Sequence, residues 1–166
     1  MTTFVSVGNA TQPFNRLIKA VLKIAPKLPQ AVVVQHGNTL FPEAGGCIAR
    51  PFMEMGEFGQ YVAQADLLIL HAGAGSVIHA VQAGKVPVVM PRRAKYGEHV
   101  DDHQLEFARA LAEAGKVVMV EEPEDLIGAV EEAMKRQRMS RPLDADSRMV
   151  DLISEVLRKY ADGLRR

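Results

Sequence analysis

Short runs of consecutive apolar residues alternate along this chain with longer stretches in which apolar residues return every three or four positions. The first kind predicts strands of a parallel sheet covered on both faces, and the second predicts amphipathic helices. Phe4–Val7, Ala31–Gln35, Leu67–Leu70, Val86–Met90 and Val117–Val120 read as strands, with Ile48–Phe52 as a further short one. Phe14, Leu17, Ile18, Val21 and Leu22 share one helical face, while Arg16, Lys19 and Lys23 face out and Pro26 ends the helix. Met55, Phe58, Tyr61, Val62 and Ala65 form a second face, ended by Asp66. Val77, Ile78, Ala80 and Val81 form a third, ending near Gly84. Leu105, Ala108, Leu111 and Ala112 form a fourth, stopped by Gly115. Pro123, Glu124 and Asp125 suit the first turn of a fifth helix. Residues 137 to 146 read as a connector to a last helix striped by Met149, Leu152, Ile153, Val156, Leu157 and Tyr160. This alternation predicts an α/β fold, a Rossmann-like doubly wound parallel sheet with right-handed crossovers and strand order 3-2-1-4-5-6.

Composition narrows the class. The 166 residues make one domain, 1–166, of ordinary size. With 48% apolar residues and zero formal net charge, neither disorder nor a polyanion-binding surface is indicated, so no nucleic-acid partner is expected. The single cysteine, Cys47, excludes an intramolecular disulfide and reads as a small apolar residue in a reducing compartment. The start of the chain is too short and polar for a signal core, and no apolar run reaches membrane-spanning length. The expectation is a soluble, cytoplasmic protein whose membrane attachment, if any, comes through a partner or a surface helix.

The chemistry concentrates between Ala65 and Leu111. The central strand runs into His71-Ala72-Gly73-Ala74-Gly75-Ser76 and then a helix; the next strand runs into Pro91-Arg92-Arg93 and another helix. In open α/β sheets the crevice beyond the carboxyl ends of such strands holds ligands. Two glycines permit close backbone approach, and Ser76 is placed to cap the helix with its first amides directed outward, an arrangement suited to phosphate. A tight turn packed for its own sake is the alternative. Three named motifs fail here. Ile78 stands where a dinucleotide fingerprint needs a third glycine, no Gly-Lys-Ser/Thr follows, and Ser76 is not flanked as in a nucleophile elbow. Gly8 and Thr11, after the first strand, are a second phosphate candidate or a simple turn and cap.

Taken in order, His71-Ala72-Gly73-Ala74-Gly75-Ser76, Gly84-Lys85-x-Pro87, Val89-Met90-Pro91 and Asp102-His103-Gln104 resemble the carboxyl-terminal domain of family 28 glycosyltransferases. The likeness is strongest to its small single-domain members, including bacterial capsule and exopolysaccharide subunits, which share segments like Met90-Pro91-Arg92-Arg93 and Gly97-Glu98-His99. It covers most of residues 4 to 120. It implies the donor-binding half of a GT-B glycosyltransferase: an inverting, metal-independent hexosyltransferase subunit that uses a UDP-sugar and needs no cofactor. The partner it implies is a membrane-anchored, acceptor-binding subunit presenting a lipid-linked sugar. The chain would then sit peripherally at the cytoplasmic membrane face.

The resemblance also implies residue roles. Gly8, Thr11, His71, Gly73, Ala74, Gly75, Ser76, His79, Asp102, His103 and Gln104 are the expected donor-binding set. The Gln35-x-Gly37 segment is expected near the nucleotide side of the cleft. Thr11 is separated from Gly8 by Asn9-Ala10, where the family usually has the pair adjacent. His79 stands where many members place a ribose-binding glutamate. Gln104 has two readings: N3 of a capping box opened by Asp101, or a ligand for donor-sugar hydroxyls, the role the family favours. The catalytic base is unassigned: Glu98 and His99 are candidates, and it could equally lie on a second subunit. His99 and His103 are four apart, yet no acidic or thiol ligand stands at fixed spacing, and no metal is expected. A nucleotide-sugar-binding module without turnover remains as an alternative. So does an NADP-linked reductase with Arg92 and Arg93 on the ribose phosphate. The last stripe, flanked by Arg148, Arg158, Lys159, Arg165 and Arg166, is read either as core packing or as a partner-docking helix.

Overall fold

A computed structural model describes residues 1–43, 46–140 and, beyond these, 151, 154, 155, 158 and 159. Its six strands are all parallel: β1 (Thr3–Ser6), β2 (Val32–Gln35), β3 (Cys47–Arg50), β4 (Leu67–His71), β5 (Val88–Met90) and β6 (Val118–Met119). Their order is β3-β2-β1-β4-β5-β6, as the sequence predicts. The order reverses at β1, which pairs with β2 on one side and β4 on the other. The exits of β1 and β4 therefore lie side by side at the switch point.

Helices cover both faces because side chains alternate along every strand. Val5, Val34, Ile69, Val88 and Met90 pack on one face with α1 (Asn15–Ile24) and α5 (Leu126–Met139). Phe4, Val33, Leu68, Leu70 and Val89 pack on the other with α2 (Met55–Gln64), α3 (Ala74–Gln82) and α4 (His103–Glu113). Each fully buried Val or Leu contributes roughly 1.5–3 kcal/mol, so the short strands are held chiefly by these two layers. The start of α1 takes its acceptor from elsewhere in the chain: Thr39 Oγ1 receives the Phe14 N–H at 2.8 Å.

Several local expectations change. Arg16 does not face out with Lys19 and Lys23; its side chain is 13% exposed because its guanidinium reaches Pro91 O and the Glu98 carboxylate. The segment read as a connector from residue 137 begins as the last turn of α5. There Gln137 accepts the Val86 N–H and donates to Gly84 O. The predicted final stripe, Met149 to Tyr160, falls on residues outside those described. No helix among the described residues is long and apolar enough to cross a membrane.

Candidate functional site

The loop between β4 and α3 is organised by a histidine rather than by a serine cap. The N-cap position of α3 is Gly73, which makes no side-chain capping bond. Its carbonyl accepts the Val77 N–H at 3.1 Å, which corrects the expectation that Ser76 caps the helix; Ser76 is inside the first turn. The amides of Ala74, Gly75 and Ser76 thus precede the first intrahelical bond and point out of the helix end, where the dipole favours an anion.

His71, the last residue of β4, is 8% exposed, and its ring lies between Gly8 and Gly73. A Cβ at Gly8 would stand 2.4 Å from His71 Nε2, and one at Gly73 only 2.1 Å away. Both glycines are therefore required by contact, and Gly8 also has φ +75°. Among the described residues no hydrogen bond of ordinary geometry reaches the ring's Nδ1, although the Ser6 backbone favours the protonated ring. Burial, with the nearby Arg92 charge and a smaller push from His99, outweighs the opposing effect of the Ser6 backbone and lowers His71 to about 4, so the ring is neutral near pH 7.

Two cavities flank Gly73. The first, about 210 Å³, is lined by Ser6, Gly8, Asn9, Gln35, Met53, Met55, Phe58, His71, Gly73, Gly75 and Ser76. Gln35 holds its floor: its Oε1 accepts the Ser6 hydroxyl, and its Nε2 donates to Gly8 O, Asn9 Oδ1 and Pro51 O at 3.1–3.3 Å. The second, about 220 Å³, is lined by Ala72, Gly73, Ala74, His99, Gln104 and Phe107.

Gln104 belongs to this second cavity and does not form a capping box. Its Oε1 accepts the Arg92 N–H at 3.1 Å, and Asp102 rather than Asp101 occupies the N-cap position of α4. The Arg92 N–H can only donate, so the amide orientation of Gln104 is fixed and its NH₂ is the group left for a ligand. Arg92 itself is fully buried: its guanidinium donates to Val7 O, Gln12 O and Glu98 O and lies 4.8 Å from the Phe14 ring centre. Burial lowers it to about 10, partly offset by Glu98, and it stays charged at neutral pH. Arg92 is thus unable to take a ribose phosphate, so the reductase reading loses one of its two arginines.

The two candidate bases separate. Glu98 is 4% exposed and accepts both Arg16 Nε and Nη2 at 2.9 Å together with the Arg93 N–H at 2.9 Å. It is a structural carboxylate. His99 faces the second cavity. Of the remaining expected residues, Thr11 is exposed and bonds its neighbour Gln12. His79 packs edge-on against Phe58 with centroids 5.9 Å apart. Asp102 accepts the Ala94 N–H and Arg93 Nε. Those bonds, led by the one from Ala94, hold its carboxyl below the usual range. His103 sits at the start of α4 beside Asp101. These four line neither cavity, nor does Glu98. Ser6, Asn9, Met53, Met55, Phe58 and Phe107 do line them and were not anticipated. The position of Ser6 and Asn9 at the exit of β1 was the available signal. No group of three or more metal-ligating side chains able to hold an ion occurs among the described residues.

Residues 2–156 match the glycosyltransferase family 28 C-terminal domain. The UDP-N-acetylglucosamine transferase subunit ALG13 of Cryptococcus neoformans is 34% identical over 110 residues, covering 65% of this chain and 50% of that protein. A UDP-N-acetylglucosamine–N-acetylmuramyl-(pentapeptide) pyrophosphoryl-undecaprenol N-acetylglucosamine transferase of Syntrophus aciditrophicus is 29% identical over 116 residues, 70% of this chain and 30% of that protein. The chain thus spans half or less of the length of these relatives. Its sheet and flanking helices have the architecture found in GT-B glycosyltransferases. The solution structure of ALG13 superposes with a TM-score of 0.58 at 17% identity over 90% of this chain and 92% of that one.

Proposed function

Because the chain belongs to the family of glycosyltransferase family 28 C-terminal domains, we propose that it is the donor-binding half of an inverting, metal-independent hexosyltransferase that uses a UDP-sugar. The observation that carries this is the open start of α3 beside the buried His71 ring, with a cavity on each side of Gly73. The diphosphate lies on the amides of Ala74 to Ser76. The nucleoside occupies the cavity floored by Gln35, and the sugar the cavity of Gln104, His99 and Phe107. In transfer, the acceptor hydroxyl gives its proton to a base and its oxygen bonds to the anomeric carbon from the face opposite the diphosphate. The bond from that carbon to the phosphate oxygen breaks, and the oxygen leaves with the electron pair. Amides already aimed at that oxygen stabilise its growing charge without reorganising, the part a divalent ion plays in other transferases. His99 is the base this geometry favours, since Glu98 is committed to Arg16 and Arg93.

A lipid-linked sugar is the acceptor class suggested by the undecaprenol-linked acceptor of the Syntrophus relative. That the Cryptococcus relative is named a subunit supports a separate partner for the acceptor-binding half, which we propose is membrane-anchored. The test is thermal denaturation with UDP, UDP-N-acetylglucosamine and NADPH. A ligand at a hundred times its Kd stabilises by about 2.7 kcal/mol, so the two uridine compounds raise Tm while NADPH does not. Stabilisation by NADPH alone would overturn the reading. Turnover on adding the partner then distinguishes an enzyme from a module that only binds.

A further inference from the structure

His99 does not stand alone at the second cavity. Its Nδ1 lies 3.1 Å from Asp101 Oδ1, while Oδ2 of the same carboxylate lies 2.7 Å from His103 Nδ1. Oδ1 also accepts the His103 N–H at 3.0 Å, which pins the carboxylate to the first turn of α4. One carboxylate therefore joins the loop that carries His99 to the helix that carries Gln104, and both of these residues line the cavity. Nothing in the established family membership assigns Asp101 a role.

We infer that Asp101 is a positioning residue that fixes His99 as the Nδ1–H tautomer and leaves Nε2 as the proton acceptor of the sugar cavity. The argument is one of competition at Nδ1. The Asp101 main-chain N–H approaches the same nitrogen at 3.4 Å, which would need a lone pair there. The carboxylate is closer and charged, and charge-assisted hydrogen bonds are roughly twice as strong as neutral ones. The proton therefore sits on Nδ1. No partner for Nε2 occurs among the described residues, so its lone pair is available to a hydroxyl. A histidine taking a proton at Nε2 becomes an imidazolium whose new charge lies against Asp101, and the carboxylate stabilises it. Burial by itself would raise the Asp101 carboxyl, but the bonds from His103, with the charges of His103 and His99, together outweigh it and hold the carboxyl below its usual value, which keeps it ionised.

The other charged groups around His99 are distributed so as not to compete for that bond. From the same loop, Arg92 is turned inward onto carbonyls and Glu98 onto Arg16. Asp102 is turned to Arg93 and Ala94. From the exit of β4, His71 feels the His99 charge and is itself neutral near pH 7.

This role deepens the transferase reading and rests on it for the identity of the hydroxyl, but the tautomer does not. Long-range proton–nitrogen correlation spectra of the full ¹⁵N-labelled chain, recorded above the histidine titration range without nucleotide, report it directly. The expected result is His99 in the Nδ1–H form in the wild type. In Asp101→Ala it moves mainly to the Nε2–H form that free imidazole favours, and in Asp102→Asn it does not move. A wild-type His99 already in the Nε2–H form overturns the proposal even if Asp101→Ala fails to fold. So does a tautomer unchanged by Asp101→Ala, or one shifted equally by Asp102→Asn. If UDP compounds do not bind but the Nδ1–H form is found, the donor-site reading has failed and the positioning of His99 stands.

Discussion

A methyl group added at Gly73 tests the way the candidate site is built. The new Cβ would lie 2.1 Å from His71 Nε2 and 2.9 Å from its Cδ2 and Cε1. The ring has no room to retreat, because Gly8 closes its other side with a Cβ position 2.4 Å from Nε2. Overpacking of this kind costs about 1–3 kcal/mol, or roughly 2–12 °C in Tm for a chain of this size. Gly75, two residues on, has nothing within 4 Å of its Cβ position. Gly75→Ala is therefore expected to leave stability unchanged within about 0.5 kcal/mol, and any loss it causes appears in UDP affinity instead. The assay is urea denaturation of Gly73→Ala, His71→Ala and the double variant. If the clash with the ring is the cause, Gly73→Ala costs markedly less once the ring is gone, giving a coupling energy of about 1 kcal/mol or more. A Gly73→Ala as stable as the wild type, or a cost unchanged in the His71→Ala background, would refute the wedge.

Three further outcomes follow from the same contacts. His71 falls from 6.5 to about 4 on folding, so the unfolded chain takes up a proton first. Stability is complete above pH 6.5 and decreases by about 3 kcal/mol as pH falls toward 4; urea titrations across that range check this, and His71→Gln removes that part of the slope. Gln104→Glu keeps an acceptor for the Arg92 N–H but loses the NH₂ donor, so calorimetry should show UDP affinity retained and UDP-sugar affinity reduced. Gln104→Ala orphans that buried N–H and also lowers stability, by about 1–3 kcal/mol. Glu98→Ala leaves Arg16 and the Arg93 N–H without their carboxylate; the expected loss is about 3–5 kcal/mol in urea denaturation, and a variant of wild-type stability would return Glu98 to consideration as a base.

The sheet was legible because its information is local. Leu67 to Leu70 and Val88 to Met90 are apolar on both faces, and that pattern has few other uses in a chain that also shows helical stripes. The glycines beside His71 were legible as a loop that admits close approach, but the object approaching was not. Gly8 and His71 meet only once β1 and β4 pair, and no local pattern reports that contact. Arg16 and Arg92 were misread for a related reason. A charged residue on an apolar helix, or after a strand, is normally solvated, and its burial depends on carbonyls and a carboxylate gathered from distant loops. Gln104 was found by motif, but the Arg92 N–H that fixes its orientation is a backbone group and leaves no trace in composition.

The two buried guanidiniums have a consequence for how the site meets a charged ligand in solution. The Glu98 carboxylate is bonded by Arg16 and acts on Arg92 only through its charge. The Nη donors of Arg92 and the rest of those of Arg16 go to the carbonyls of Val7, Gln12, Pro91, Glu98 and Glu121, and Arg92 Nε has no hydrogen-bond partner among the described residues. The molecule therefore keeps an uncompensated positive charge beneath the strand exits, one that already acts on His71. Mobile ions shield a charge in such a place far less than they shield a surface lysine. Attraction for an anion at the start of α3 is accordingly expected to persist as salt is raised. Binding at this face would then follow the fixed field of the fold rather than the ionic strength around it.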